Sequence, residues 1–290
     1  MKILNFGSLN IDMVYQVDHI ARPGETIASS AHEVFAGGKG ANQSAALAVA
    51  GAEVFHAGQI GPEGQWLVDK LARFGVKMIY TLTGETPTGH AIIQVDNQGQ
   101  NSIVLFPGAN KKISHSAIDS TLSHFAQGDI LLLQNEINGI DYLIAQGKER
   151  GFYVCFNPAP YGPEVLEYPL HFVDLLIVNE TEARGLLGPV VPDQLIDRLA
   201  ATWPQAQIVL TLGEQGAHYS SAQERFYLPA TPIDAIDTTG AGDTFIGYFL
   251  QGLVADMAPQ VAMQRAITAA ALCVAKPGAM DSIPTTTELI

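Results

Sequence analysis

Short apolar runs alternate with helical patterns along most of this chain, and that alternation narrows its fold more than any other feature. The runs are Lys2 to Phe6, Val54 to Ala57, Val76 to Leu82, Ile130 to Leu133, Tyr153 to Phe156, Leu175 to Val178 and Ile208 to Leu212. Helical patterns lie between several of them, among them Gln65 to Phe74, Ile140 to Arg150 and Asp193 to Thr202. Strands that are apolar throughout are buried on both faces, and the intervening helices supply the cover. The pattern predicts an α/β fold of three layers, with a mostly parallel sheet between two sets of helices. Alanine-dense Ala41 to Gly51 reads as a tightly packed helix, and Asp243 to Val254 and Pro259 to Val274 read as two long final helices.

Two segments break this rhythm. Asp12 to Phe35 has no convincing helix, and Gly89 to Phe106 alternates in polarity on either side of the turn Asp96 to Gly99, as a hairpin does. Together they are expected to form a small β subdomain, about residues 12–35 and 89–106, over one edge of a single domain spanning 1–290.

Composition excludes several function classes. With 47% hydrophobic and 15% charged residues, a chain of 290 residues has a large core to bury and is not disordered. Its longest apolar runs are far too short to cross a bilayer, so no membrane partner is expected. A balance of 15 basic to 29 acidic residues, net −14, opposes a nucleic-acid partner. Cys155 and Cys273 stand apart in apolar surroundings, which suits neither a disulfide framework nor a zinc site and points to the cytoplasm. Met1 to Phe6 reads as a strand rather than as an export signal.

The chemistry concentrates in two glycine clusters. In IDTTGAGDTFIGYF, residues 236 to 249, Gly240 and Gly242 let the backbone turn sharply where a helix begins. The first N–H groups of that helix lack internal partners and favour an anion, so a phosphate can dock without a basic side chain. Asp243 would repel that phosphate unless it has another task, such as taking a proton from an attacking hydroxyl. Capping the helix is an equally good use for the same aspartate. The dinucleotide fingerprint fails because Phe245 replaces its third glycine, and no G-x-x-x-x-G-K-[ST] occurs. The second cluster, FAGGKGANQSAALAVAGA from Phe35 to Ala52, sets Gly38 for close approach beside the donors Lys39 and Asn42. Asn10 and Asp12, two apart after the first strand, point the same way and suit adjacent hydroxyls, or else form an Asx turn.

GGKGANQSAALAVAGA and DTTGAGDTFIGYFL closely resemble the two signature regions of the ribokinase-like, or phosphofructokinase-B, family of carbohydrate kinases, and the resemblance covers essentially the whole chain. GGKGAN, in place of the GG-x-x-AN of fructokinases, is closest to the ribokinase branch. The resemblance implies ATP-dependent phosphorylation of a sugar's primary hydroxyl, with D-ribose the expected acceptor. Deoxyribose, a fructose-like hexose or a nucleoside is the alternative within the family, and a non-catalytic sugar sensor the alternative outside catalysis. By the same resemblance Asp243 is the base, and the amides of Gly240, Ala241, Gly242 and Asp243 form an anion hole. Asn10, Asp12, Gly38, Lys39, Asn42 and Glu136 match sugar contacts. Asn179, Thr211 and Gly213 match the nucleotide site, and Glu182 organises Mg²⁺ through water. Taken alone, Asn179 to Glu182 fits a capped first helical turn equally well. Asp237, Thr239, Cys273, Gly278 and Ser282 fall where the family binds an activating K⁺, although Pro277 departs from the expected loop. The β subdomain resembles a lid that closes on sugar and clasps a second subunit in a homodimer.

Overall fold

The computed structural model describes residues 1–289. In chain order the elements are β1 (Ile3–Phe6), β2 (Asn10–Gln16), β3 (Ala31–Gly37), α1 (Lys39–Val49), β4 (Val54–Ile60), α2 (Gln65–Arg73), β5 (Lys77–Thr83), β6 (Gly89–Val95), β7 (Asn101–Phe106) and α3 (His115–Leu122). They continue with β8 (Ile130–Gln134), α4 (Ile140–Glu149), β9 (Tyr153–Asn157), β10 (Leu175–Asn179), α5 (Glu180–Leu187), α6 (Leu195–Thr202), β11 (Gln207–Thr211), β12 (Gly216–Ser220), β13 (Arg225–Pro229), α7 (Ala241–Val254) and α8 (Pro259–Val274).

Nine strands form one sheet in the order β13-β12-β11-β10-β9-β8-β1-β4-β5, and β12 alone runs against the others. Successive residues of its central strands feed two separate cores. Ile3, Ile130, Leu132, Leu175, Ile177 and Val209 join helices α1, α2, α7 and α8 on one face. Leu4, Leu131, Leu133, Leu176, Val178 and Ile208 join α3 to α6 on the other. That is the expected three-layer α/β fold, and it explains why the strands read as unbroken apolar runs. The hairpin β12–β13 was not foreseen; β13 alternates in exposure at the sheet edge, and neither strand carries a continuous apolar run.

The strand order places a topological switch at β1. The chain leaves β1 toward β4 and β5 on one side, then returns to build β8 to β11 on the other. In open α/β sheets the crevice at the carboxyl ends of the strands beside such a switch is where ligands bind.

Residues 10–16, 31–37, 89–95 and 101–106 form a second sheet, in the order β3-β2-β6-β7. It is mixed, because β2 and β6 are parallel while both outer pairs are antiparallel. Its strands begin at Asn10 and end at Gly37, two residues beyond the expected bounds at each place, because pairing of Asn10 with both Gly37 and Gly89 extends the ladder to its base.

Small residues set how closely α1 and α7 approach. A Cβ on Gly247 would overlap the Ala46 methyl and lie 2.7 Å from the Ala46 carbonyl carbon and 2.8 Å from Leu47 N. That close crossing brings the first turns of both helices to one point.

Candidate active site

Asn179 and Thr211 close strands, Lys39, Asn42, Glu182 and Asp243 lie in the first turns of helices, and Asn10 and Asp12 open β2. Glycine opens both critical helices. Gly38 caps α1 with φ of 93°, and Gly240 caps α7 in the left-handed region with φ of 77°. A Cβ on Gly240 would also press 3.0 Å from the Ala279 Cα. Gly242 differs, since a Cβ there would meet nothing within 4 Å. The open space beside the first amides of α7 therefore faces outward, where an anion could approach.

Asp243 is buried at 8% exposure, and each oxygen of its carboxylate accepts one hydrogen bond from a neighbour. Asn42 donates to Oδ2 at 3.0 Å, and Gln43 donates to Oδ1 at 2.9 Å. The cap reading is not what the geometry gives, because no side chain caps α7; the carboxylate bonds across to α1. Asn42 Oδ1 is buried without a partner.

Glu136, two residues past β8, accepts from the Lys39 backbone N–H at 2.8 Å and from the Ser8 hydroxyl. Burial raises its pKa, against the opposing pull of Lys39. Burial also raises Asp12, with Glu136 adding like-charge repulsion, to about 6. Burial pulls the Lys39 pKa down, but Asp243, Glu136 and Glu182 together outweigh it and hold the pKa above the ordinary lysine value. Lys39 is thus a half-buried cation within electrostatic reach of three carboxylates from three elements.

Asn10 is placed by a residue that the sequence did not reveal. Asn110 Nδ2 donates to Asn10 Oδ1 at 2.7 Å while its own Oδ1 accepts from Leu9 N at 3.0 Å. The Asn10 oxygen being occupied, its amide N–H₂ is the group left for a ligand. A Cβ on Gly37 would collide with the Asp12 carboxylate, so that glycine leaves room for it.

Asn179 and Thr211 end β10 and β11 and are register partners. Asn179 and Glu182 form a reciprocal capping box, with Glu182 N donating to Asn179 Oδ1 and Asn179 N to Glu182 Oε2, each at 2.9 Å. Glu182 has its pKa raised by burial and lies close enough to feel both Lys39 and Asp243. Gly213 follows at the same sheet edge with φ of 56° and open space beside it.

The remaining candidates gather around one loop crossing. Asp237 accepts from Thr239 N and from Gly278 N, each at 2.9 Å. Those bonds outweigh burial and hold its pKa below the ordinary aspartate value. Ser282 Oγ donates to the Gly278 carbonyl at 2.6 Å and lies 3.0 Å from Cys273 Sγ. Gly278 adopts φ of 94°, so Pro277 does not prevent the turn. Among the described residues no cluster of three His, Cys, Asp or Glu side chains could hold a metal ion.

Sequence reasoning missed Ser8, Gln43, Asn110, Gln134 and Asn157, which hold the candidates in place. One signal was available, because four adjacent strands each end on a polar residue: Gln134, Asn157, Asn179 and Thr211. A polar side chain closing an otherwise apolar parallel strand marks the ligand end of the sheet.

An α/β sheet with a carboxylate at a glycine-opened helix start, facing a ring of polar residues at a switch point, has the form of a small-molecule phosphotransferase. Comparison with known proteins agrees. Residues 1–286 match the pfkB family carbohydrate kinase model, and the chain belongs to that family. Among curated relatives, a ribokinase of Haemophilus influenzae is 35% identical over 98% of this chain and 95% of its own. A deoxyribokinase of Salmonella typhi is 31% identical over 98% and 96%. Among solved structures, that of Arabidopsis thaliana ribokinase complexed with ribose and ATP has a TM-score of 0.87 at 29% identity, covering 99% of this chain and 97% of the other.

Proposed function

We propose that this chain transfers the γ-phosphoryl group of ATP to a primary hydroxyl of a sugar, with D-ribose the acceptor and ribose 5-phosphate and ADP the products. The observation that carries the reading is Asp243, a buried carboxylate in the first turn of a helix whose glycine leaves open space beside it. Asn10, Asp12, Gly38, Lys39, Asn42 and Glu136 would bind the sugar. Asp12 accepts from paired hydroxyls, Asn10 and Lys39 donate, and the unpartnered Asn42 Oδ1 accepts a further hydroxyl hydrogen. Asp243 takes the proton from the attacking hydroxyl as its oxygen bonds to the γ-phosphorus and the bond to the β,γ-bridging oxygen breaks, releasing ADP. The amides of Gly240, Ala241, Gly242 and Asp243 receive the charge of the transferring group, which positioning and preorganised donors stabilise. Asn179, Thr211 and Gly213 would line the nucleotide.

Two cations fit the residues present. Glu182, buried and already oriented by Asn179, would suit Mg²⁺ held through water, which would supply charge neutralisation on the phosphates. Asp237 and the oxygens of Thr239, Gly278 and Ser282, with Cys273 behind them, suit K⁺, a hard ion that takes oxygen donors.

The four-stranded sheet is proposed as a lid that closes on the sugar and excludes water, and as the contact surface of a homodimer. Register aligns Val34, Met13, Ile92 and Val104 in one row on the face opposite Asp12, and Val34, Ile92 and Val104 are exposed. The proposed location is the cytoplasm, supported by two free buried cysteines; no helix among the described residues is long and apolar enough to cross a membrane. The deoxyribokinase relative supports deoxyribose as the second acceptor to test.

The test is ADP release across pentoses, deoxyribose, hexoses and nucleosides, with and without K⁺. Ribose should give the highest kcat/KM, and Asp243→Asn should slow turnover by about 10²–10⁴-fold while sugar affinity persists. An Asp243→Asn enzyme with near-normal turnover would refute the assignment.

A further inference from the structure

Behind Asp243 the core holds a run of amide side chains whose polarity is fixed from outside. Asn5, within β1, donates through Nδ2 to the Gly40 carbonyl oxygen at 2.8 Å. A carbonyl can only accept, so Asn5 must turn Oδ1 the other way. Gln134 Nε2 donates to that Oδ1 at 2.9 Å and to Gln43 Oε1 at 2.7 Å. Gln43 is thereby obliged to present its own Nε2, which reaches Asp243 Oδ1 at 2.9 Å and Asn157 Oδ1 at 3.3 Å. Asn157 has its direction set independently, because its Nδ2 donates to the Ile177 carbonyl oxygen at 3.0 Å. Asn5, Gln43 and Gln134 are wholly buried and Asn157 is 6% exposed. With water excluded, a flipped Gln43 would set its oxygen against Asp243 and Asn157 and its N–H₂ against Gln134, leaving several buried groups unsatisfied at once.

The consequence falls on the carboxylate. Asn42 holds one oxygen of Asp243, which by itself leaves the group free to swing about its Cβ–Cγ bond. A second donor on the other oxygen fixes the plane. Building on Asp243 as the proton acceptor, we infer that Gln43 is the positioning residue for that base. Two backbone carbonyls, those of Gly40 and Ile177, dictate its orientation through Asn5, Gln134 and Asn157. Its N–H₂ occupies the inner side of Oδ1, stabilises the ionised carboxylate and leaves the lone pairs facing the cleft for the sugar's proton. The other charged groups that act on Asp243 are Lys39 from α1, Glu136 following β8 and Glu182 from α5, and none of them is altered by changing Gln43.

The experiment uses the full-length enzyme with ribose and Mg-ATP, and measures kcat, ribose KM and the pH profile of kcat for wild type, Asp243→Asn, Gln43→Met, Gln43→Glu and Gln134→Met. Methionine keeps the volume of glutamine and removes the donors. Loss of one hydrogen bond to a charged group predicts that Gln43→Met lowers kcat by about 10–100-fold with ribose KM changed less than about threefold. The acid limb of its profile should move to higher pH, and that of Gln43→Glu further, since a second carboxylate then faces the base. Gln134→Met removes the group that orients Gln43. It should shift the limb in the same direction by less, and add nothing to Gln43→Met in the double variant. A role confined to folding would lower the melting temperature and leave the profile in place, and that result overturns the inference. Should Gln43→Met not fold, an unshifted profile in Gln134→Met overturns it equally. A wild type inactive on every sugar sinks both this inference and the kinase reading beneath it. Activity in wild type, its loss in Asp243→Asn and an unchanged Gln43→Met sink the positioning role alone.

Discussion

Sugar affinity should rise steeply as pH is raised from about 5 to about 7, and Asp12 is the reason. Burial, then repulsion from Glu136, lifts its pKa to about 6. The ionised carboxylate offers both oxygens as strong acceptors to a pair of hydroxyls, whereas protonation turns one of them into a donor. The ionised fraction is about a tenth at pH 5 and about nine-tenths at pH 7, so the apparent Kd for ribose should fall roughly tenfold across that window. The same shift has a stability cost of opposite direction. The folded-state pKa exceeds the unfolded one, so the folded chain binds more protons between them, and stability declines as pH rises through that range. A rise of that size corresponds to about 3 kcal/mol for the ligand-free protein at neutral pH. Removing the charge should relieve it. Asp12→Asn is therefore expected to melt higher than wild type at pH 8 without sugar while binding ribose more weakly and with a flatter pH dependence. Calorimetric titration with ribose over pH 5 to 8, paired with thermal melts of both proteins, measures each part. A wild-type Kd that does not change with pH, or an Asp12→Asn protein that keeps the wild-type profile, would refute the reasoning.

Two glycines separate packing from ligand approach. Gly247→Ala should destabilise by about 1–3 kcal/mol and reduce kcat although it lies a full turn from Asp243, because the added methyl forces α1 and α7 apart and loosens the Asn42 and Gln43 bonds. An unchanged melting temperature would show that the crossing yields without strain. Gly242→Ala should do the reverse, raising stability by about 0.5–1 kcal/mol through helix propensity while lowering kcat, since its methyl would enter the open space assigned to the phosphoryl group. Wild-type turnover in that variant would move the phosphoryl group away from the start of α7.

The layers of the fold were legible because they depend on patterns that any buried parallel strand must show. Leu131 and Leu133 belong to one core, Ile130 and Leu132 to the other, and a strand with two apolar faces has to read as an unbroken run. The edge strand Arg225 to Pro229 was not legible because a strand covered on one side has no such obligation. The site divides in the same way. Asp243, Lys39 and Asn42 stand in glycine-marked turns, where the backbone itself advertises an unusual demand. Gln134 and Asn157 show only as polar residues closing apolar strands and Gln43 as one more polar residue of a helix start, since the task of each is defined by partners 91 to 200 residues away. Asn110, which sets the direction of Asn10 from 100 residues downstream, was hidden for the same reason.

A chain of net charge −14 must still hold a polyanionic nucleotide, and its geometry indicates how. The first turns of α1, α5 and α7 stand within side-chain reach of one another, linked by Asn42 and Gln43 to Asp243 and by Asn157 to both Gln43 and Glu182. Three helix starts bring the positive ends of their dipoles together there; the first amides of α1 are already taken by Ser8 and Glu136, while those of Gly242 and Asp243 on α7 remain for an anion. This positive potential comes from fixed backbone and needs no rearrangement when charge develops. Lys39 already feels the pull of three carboxylates, which fits the proposed role on the sugar side better than that of a free phosphate anchor. The division predicts that Lys39→Met will weaken ribose binding far more than ATP binding, and an ATP affinity that falls in step with ribose affinity would return the lysine to the nucleotide.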